Sequence, residues 1–274
     1  MKDLIDIVII QETMGDNLEK NINKIYNKIS LLDPKNTTIV TLHELCYLKY
    51  IPITKVKKKK SFAININSGI IKKFCDLSKV KKIYILFPFF ESLNDKFYNS
   101  LILISPTGKI ISIYRKRNIP SEPCYEEDYY FSSSKNQFPV IKIGKYNIGL
   151  MICWDQWYSE SYNKLLNKNV DLILCPTSIG FAYNGDKKIS LPDEKHKWLK
   201  TITTNSFMIN TPIVVTNRIG VESDGSKKIR FWGHSFVTNA NGDIEYKCDN
   251  KRVLHKHTID LSKNKKYRKL WNFR

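Results

Sequence analysis

The chain has 274 residues, 42% hydrophobic and 26% charged. These are ordinary globular values that exclude a collagenous, mucin-like or wholly disordered polymer and leave room for a sizeable core. Lys and Arg number 45 against 26 Asp and Glu, a formal net charge of +19 that would suit polyanionic partners; because only Lys57 to Lys60 form an unbroken run, we read a solvated lysine-rich surface and expect no nucleic-acid partner.

Leu4 to Ile10 is a short apolar run that predicts a strand. Asp16 follows as a candidate N-cap with Glu19 three residues on, and Leu18, Ile22, Ile25, Ile29 and Leu32 recur at helical spacing, so a helix is predicted over 16–32. Thr37 to Leu42 predicts a second strand that ends at His43-Glu44, and a helix is predicted over 61–77 before a strand from Lys82 to Phe87. Asn99 to Ile104 and Lys109 to Arg115 are β-rich runs joined by Ser-Pro-Thr-Gly, a hairpin signal. From Lys116 to Lys135 the periodicity fails and a long loop is expected; such loops in compact domains are usually functional. Val140 to Ile143 and Tyr146 to Ile152 flank Gly144-Lys145 as a tight hairpin whose second strand runs into Cys153. A helix over Glu160 to Lys168, a buried strand from Val170 to Cys175, an irregular stretch over 176–192 and a helix from Asp193 to Met208 come next. Ile213 to Thr216, Trp232 to Val237, Asp243 to Tyr246 and Val253 to Ile259 complete the strands. The C-terminal run KNKKYRKLWNFR fits a basic stacking surface or a helix docked through Tyr267, Leu270 and Trp271.

This order mixes βα units with hairpins and shows neither linker nor internal repeat, so one α/β domain over 1–274 is expected, with helices outside two central sheets. The six cysteines lack C-x-x-C spacing and sit largely in apolar runs, which suits reduced, buried thiols. Asp3 and Asp6 stand where a signal peptide wants a basic start, and no apolar run approaches the ~20 residues of a membrane helix. A cytoplasmic protein without membrane contact is therefore expected.

The chain contains no G-x-S-x-G, P-loop or G-x-G-x-x-G motif, and its five histidines show no zinc spacing; no metal and no cofactor are expected. Cys153 is different. It closes an apolar strand and begins Cys-Trp-Asp-Gln-Trp, a strand-to-helix turn where a helix dipole would lower the thiol pKa. Alone it would pass for a structural cysteine, but Glu44 also ends a predicted strand and Lys116 directly follows another.

The segments HEL around Glu44, YRKRNIP around Lys116 and GLMICWDQWYSE around Cys153 resemble the nitrilase superfamily of carbon–nitrogen hydrolases, as do FFESLNDKFYNS, PTSIG, TNRIG and WGHSF further along. The similarity runs from about residue 5 to 260 and is nearest to the branch that acts on N-carbamoylputrescine. It implies a four-layer α-β-β-α sandwich and a homo-oligomer. It also implies that Glu44 is a general base, Cys153 a nucleophile forming a thioester-type intermediate, and Lys116 an oxyanion stabiliser with the backbone N–H near Trp154. Glu127 matches a second family glutamate that positions substrate or water. Departures from the branch include Leu-Cys-Tyr-Leu-Lys-Tyr after Glu44, Lys197 before Trp198, His234 in the G-x-SF segment, and SSSK after the glutamate loop.

Glu122, Glu126, Glu127 and Asp128 are four acids within seven residues of a chain otherwise short of them. With Tyr125, Trp154 and Asp155 they are expected to form a negative pocket for a carbamoyl amine, because screening over about 8 Å leaves local charges in control. The expected function is hydrolysis of N-carbamoylputrescine to putrescine, ammonia and carbon dioxide, in polyamine synthesis. The same chemistry on an N-carbamoyl amino acid, and a non-catalytic polyanion-binding role on the same fold, remain as alternatives.

Overall fold

In the strand Leu4–Gln11, Ile5, Ile7 and Ile9 point to one side and Val8 and Ile10 to the other, and all five are buried, so this strand needs cover on both faces. The computed structural model, which describes residues 4–271 and 273, supplies it. A six-stranded sheet runs in the order Val253–Asp260, Leu4–Gln11, Thr37–Leu42, Tyr84–Leu93, Lys96–Ile104, Ile110–Arg115, with its three parallel strands at positions two to four. A second six-stranded sheet has the order Ile244–Lys247, Phe236–Thr238, Ile213–Thr216, Leu172–Pro176, Tyr146–Leu150, Val140–Ile143, again parallel at its centre.

Ile7 and Ile9 of the first sheet share a core with Leu150, Leu172 and Val214 of the second. The opposite face of the first sheet, through Val8, Val40, Ile85 and Phe87, packs on Ile22, Ile25 and Ile29 of the helix Leu18–Ser30 and Phe74 of the helix Gly69–Lys81. The second sheet is covered by the helices Ser159–Leu166 and Glu194–Met208 through Tyr162, Leu165, Trp198 and Ile202. Four layers, α-β-β-α, follow. Thr216 Oγ1 donates to Thr41 Oγ1 at 2.7 Å, tying the sheets together near the C-terminal ends of their parallel strands. Just beyond those ends, Glu44 N donates to Thr177 O at 3.4 Å, so both sheets feed the same region.

Several boundaries differ from expectation for local reasons. Asn17, in an extended conformation, caps the first helix by accepting from Lys20 N at 2.9 Å, while Asp16 instead pairs with Lys49. The second helix starts at Gly69 because the Ser68 hydroxyl accepts from Ile71 N, and the lysine run forms a 3₁₀ turn over Lys57–Phe62. A four-stranded sheet runs in the order Lys187–Lys188, Gly180–Asn184, Lys227–Trp232, Ile219–Asp224: its first two strands lie inside the stretch read as irregular, and the other two pair as a hairpin that ends at Trp232, where a strand to Val237 was expected to begin. Gly180 is required there, since a Cβ would lie 2.3 Å from Arg230 O. The C-terminal helix Asn264–Trp271 is anchored by Asn264 and Arg268 to Asp171 and by the expected Trp271, whose ring packs edge-on to Phe207 at 5.0 Å, whereas Leu270 is 66% exposed. Among the described residues no helix is long and apolar enough to cross a membrane.

Candidate active site

Lys116 continues the Ile110–Arg115 strand by donating its backbone N–H to Asn99 O at 2.8 Å, which turns its side chain into the interior. There Nζ, with no solvent exposure, donates to Glu44 Oε1 at 2.7 Å and to Glu127 Oε1 and Oε2 at 2.9 and 2.8 Å. Asn99, one strand over, donates Nδ2 to Glu44 Oε1 at 2.7 Å and to Glu127 Oε2 at 3.3 Å, and Tyr50 OH donates to Glu127 Oε1 at 2.7 Å. Glu127 is thus fully supplied with donors, whereas Glu44 Oε2 is buried and has none. Burial alone would pull the Lys116 ammonium down, but the Glu127 and Glu44 carboxylates outweigh it and hold it above its ordinary value. Burial lifts the Glu127 carboxyl above its ordinary value against the pull of Lys116, and Glu44 adds to the rise.

Cys153 follows the Tyr146–Leu150 strand with φ of 41°, a left-handed conformation that a cysteine rarely adopts, and opens a five-residue 3₁₀ turn, Cys153–Trp157. The expected lowering of its pKa is not found. Burial pushes the thiol well above its ordinary value and Glu44 adds to this, while Lys116 and a hydrogen bond with Thr177 oppose it. A short 3₁₀ turn has too few aligned peptides to offset that desolvation. The resting sulfur is therefore a protonated thiol surrounded by Glu44, Lys116, Glu127 and Thr177.

A cavity of about 330 Å³, near the small end of the ~300–1,000 Å³ range for small-molecule sites, presents Cys153, Glu127, Glu122, Tyr125 and Trp154 together. Three residues expected in the pocket, Asp155, Glu126 and Asp128, do not line it. Asp155 is wholly buried and accepts from Ile152 N, Tyr114 OH, and Asn118 N and Nδ2 at 2.8–3.1 Å, so its carboxylate is spent on joining the Cys153 turn to the segment after Lys116. Glu126 turns outward onto Lys227 at 2.8 Å and Lys55 at 3.3 Å; Asp128 lies 3.9 Å from the same Lys55. Glu194 lines the cavity and was not foreseen from sequence, nor were Ile179, Ala182, Ile189 and Leu191.

Arg218 was also missed as an individual residue, although its segment TNRIG stood out. Wholly buried, it uses all five N–H groups: Nη1 to Leu48 O and Glu222 Oε1, Nη2 to Glu44 O and Leu45 O, and Nε to Ser178 Oγ, at 2.8–3.1 Å. It clamps the turn that carries Glu44, where Leu45 has φ of 49°.

Residues 7–269 match the carbon–nitrogen hydrolase family model. The chain belongs to the carbon–nitrogen hydrolase family. Within this nitrilase-superfamily group, the chain is 28% identical to a citrullinase of Francisella tularensis, covering 97% of this chain and 93% of that protein. It is 26% identical to an N-carbamoylputrescine amidase of Solanum tuberosum, covering 98% and 90% of the two chains. A carbon–nitrogen hydrolase from Helicobacter pylori superposes with a TM-score of 0.91 at 27% identity, over 98% of this chain and 94% of the other. The activity class is thus a hydrolase of carbon–nitrogen bonds other than peptide bonds.

The buried thiols of this hydrolase also make stability pH-dependent. Burial raises Cys46, Cys153 and Cys175 in the folded state, so the unfolded chain releases these protons first, near the ordinary thiol value of about 8.5. Their contribution is whole below that pH and is lost as pH rises towards the folded values, at about 1.4 kcal/mol per pH unit for each thiol. Urea unfolding at a series of pH values should show the midpoint dropping steeply above about pH 9; a flat profile to pH 10 would contradict the buried-thiol picture.

Proposed function

We propose that this chain is an amidohydrolase that cleaves N-carbamoylputrescine to putrescine, ammonia and carbon dioxide. The observation that carries the reading is the composition of the cavity. It presents Cys153 beside Glu122, Glu127 and Glu194, and no lysine or arginine is among its described lining residues, in a chain whose net charge is +19. At physiological ionic strength, charges beyond about 8 Å are largely screened, so the lysines spread over the surface count for little; Lys116 is taken up by Glu127 at 2.8 Å, and the lining acids set the local field. A cationic amine suits that interior.

In the proposed reaction Glu44 takes the Cys153 proton through its unpartnered Oε2 as the sulfur attacks the carbamoyl carbon. The carbonyl π electrons move to oxygen, and Lys116, with a backbone N–H near Trp154, stabilises the resulting oxyanion. Glu44 then returns the proton to the departing nitrogen, the carbon–nitrogen bond breaks, and the carbonyl stays on sulfur as a thioester-type adduct. Water deprotonated by Glu44 attacks this adduct, and Glu44 passes that proton to the leaving sulfur, which restores the thiol; the carbamate so formed loses carbon dioxide and frees the remaining nitrogen as an amine, while Glu127 keeps Lys116 in place. Keeping the thiol protonated at rest matches a base-assisted attack and not a standing thiolate.

The Francisella relative's name favours citrulline as a second candidate. Citrulline carries a carboxylate beside its ammonium, and in this cavity that carboxylate would face acids with no lining cation. Ammonia release from N-carbamoylputrescine, citrulline and N-carbamoyl amino acids decides between them. N-carbamoylputrescine should be preferred, and Cys153→Ala should abolish release from every substrate. Preference for the acids would overturn the putrescine assignment. Release from none would overturn hydrolysis and favour a polyanion-binding role. The same reading places the enzyme in the cytoplasm, in polyamine synthesis, as a homo-oligomer, which light scattering would test.

A further inference from the structure

Three carboxylates line the cavity, and they are not equivalent. Glu127 is saturated by Lys116, Asn99 and Tyr50. Glu122 is exposed, so water screens it. Glu194, the first residue of the Glu194–Met208 helix, is half-buried, and its Oε2 is shielded from solvent without a hydrogen-bond partner. An acceptor in that condition is costly unless something fills it.

The groups facing Glu194 do not fill it. Burial raises the carboxyl above its ordinary value, opposed by the nearby Ser190 hydroxyl, which accepts from Ala182 N at 2.8 Å, and by the charges of Lys188 and Lys197. Lys188 Nζ lies over the Phe181 ring, 3.6 Å from its centroid, and Lys197 Nζ pairs with Asp193 at 3.2 Å. Neither lysine lines the cavity. Ile179, Ala182, Ile189 and Leu191 line the same cavity as Glu194 and offer apolar walls for a methylene chain.

We propose that Glu194 is the specificity-determining residue of this site: its carboxylate, at the cavity wall, receives the free ammonium at the far end of a carbamoyl amine while the carbamoyl group lies at Cys153. The inference rests on the amidohydrolase reading above and adds to it the residue that selects an amine over an acid or a neutral urea. Glu194 touches only the distal end of the substrate, so it governs binding and not bond cleavage.

Two assays separate the failure of this inference from the failure of that reading. Calorimetry with putrescine as the probe should show wild-type binding that weakens about ten- to a hundredfold in Glu194→Gln and Glu194→Ala. Ammonia release from n-butylurea, which has the same carbon spacer and no ammonium, should stay within about twofold in both variants, while KM for N-carbamoylputrescine rises and kcat holds. Unchanged putrescine affinity, no putrescine binding by wild type, or equal losses on n-butylurea would each overturn the role of Glu194. Glu194-dependent putrescine binding in a wild-type protein that releases no ammonia would keep the ammonium subsite and overturn the hydrolysis instead.

Discussion

Lys116→Met is expected to lower ammonia release by about a thousandfold or more, the loss typical of a missing oxyanion donor compounded by disturbance of the base. Lys116 Nζ is the cation between Glu44 and Glu127, and Asn99 alone would then bridge two buried carboxyls. Two such groups cannot both stay ionised, so one takes up a proton. A rate assay with a thermal melt of the same sample tests this: a folded variant within tenfold of wild type would remove Lys116 from the reaction. Methionine is the informative substitution because it keeps most of the buried apolar chain while removing the ammonium with its charge and its hydrogen-bond donors.

Arg218→Met should destabilise the fold by about 3–5 kcal/mol, because it strands a buried charge. Glu222 loses its 2.8 Å ion pair, and the carbonyls of Glu44, Leu45 and Leu48 lose their donors at once. Lysine cannot substitute, since a point charge does not reproduce five N–H groups in a planar fork. Urea unfolding measures the loss, and Arg218→Met combined with Glu222→Gln should recover part of it, because the stranded charge is then gone. A single variant within 1 kcal/mol of wild type would show that the clamp is dispensable. Activity should fall with stability, since the released turn carries Glu44 at its start and the strained Leu45 beside it.

How much of this was legible in the sequence differs residue by residue. Glu44, Lys116 and Cys153 each follow an apolar strand, and a polar or reactive side chain at such a point can be seen without coordinates. The parallel core strands were legible for the same reason, since burial on both faces leaves unbroken apolar runs such as Leu172–Pro176. The strands of the four-stranded sheet were missed: Gly180–Asn184 and Lys187–Lys188 carry too few apolar residues to set a period, and Ile219–Asp224 and Lys227–Trp232 are short runs in which charged residues interrupt the apolar ones.

The acids show where local reading stops. Glu122, Glu126, Glu127 and Asp128 are indistinguishable as a cluster, yet Lys227 and Lys55 turn Glu126 outward while Lys116 holds Glu127 in the interior. Asp155 is adjacent to a cavity residue, Trp154, and is still consumed by Tyr114 and Asn118. Glu194 reaches the cavity from 41 residues beyond Cys153, on the helix that covers the second sheet.

The amino-acid order by itself determined the layered α/β architecture and the chemical types at the strand ends, because strand and helix periods and strand termini are properties of neighbouring residues; the family came from the resemblance of the segments around Glu44, Lys116 and Cys153. Only the tertiary structure decided which carboxylates are spent on lysines, which are saturated and which keep an open acceptor. It also decided that the thiol rests protonated. A charge's partners and its access to water come from segments far apart in the chain, and those two quantities set what a buried group can do.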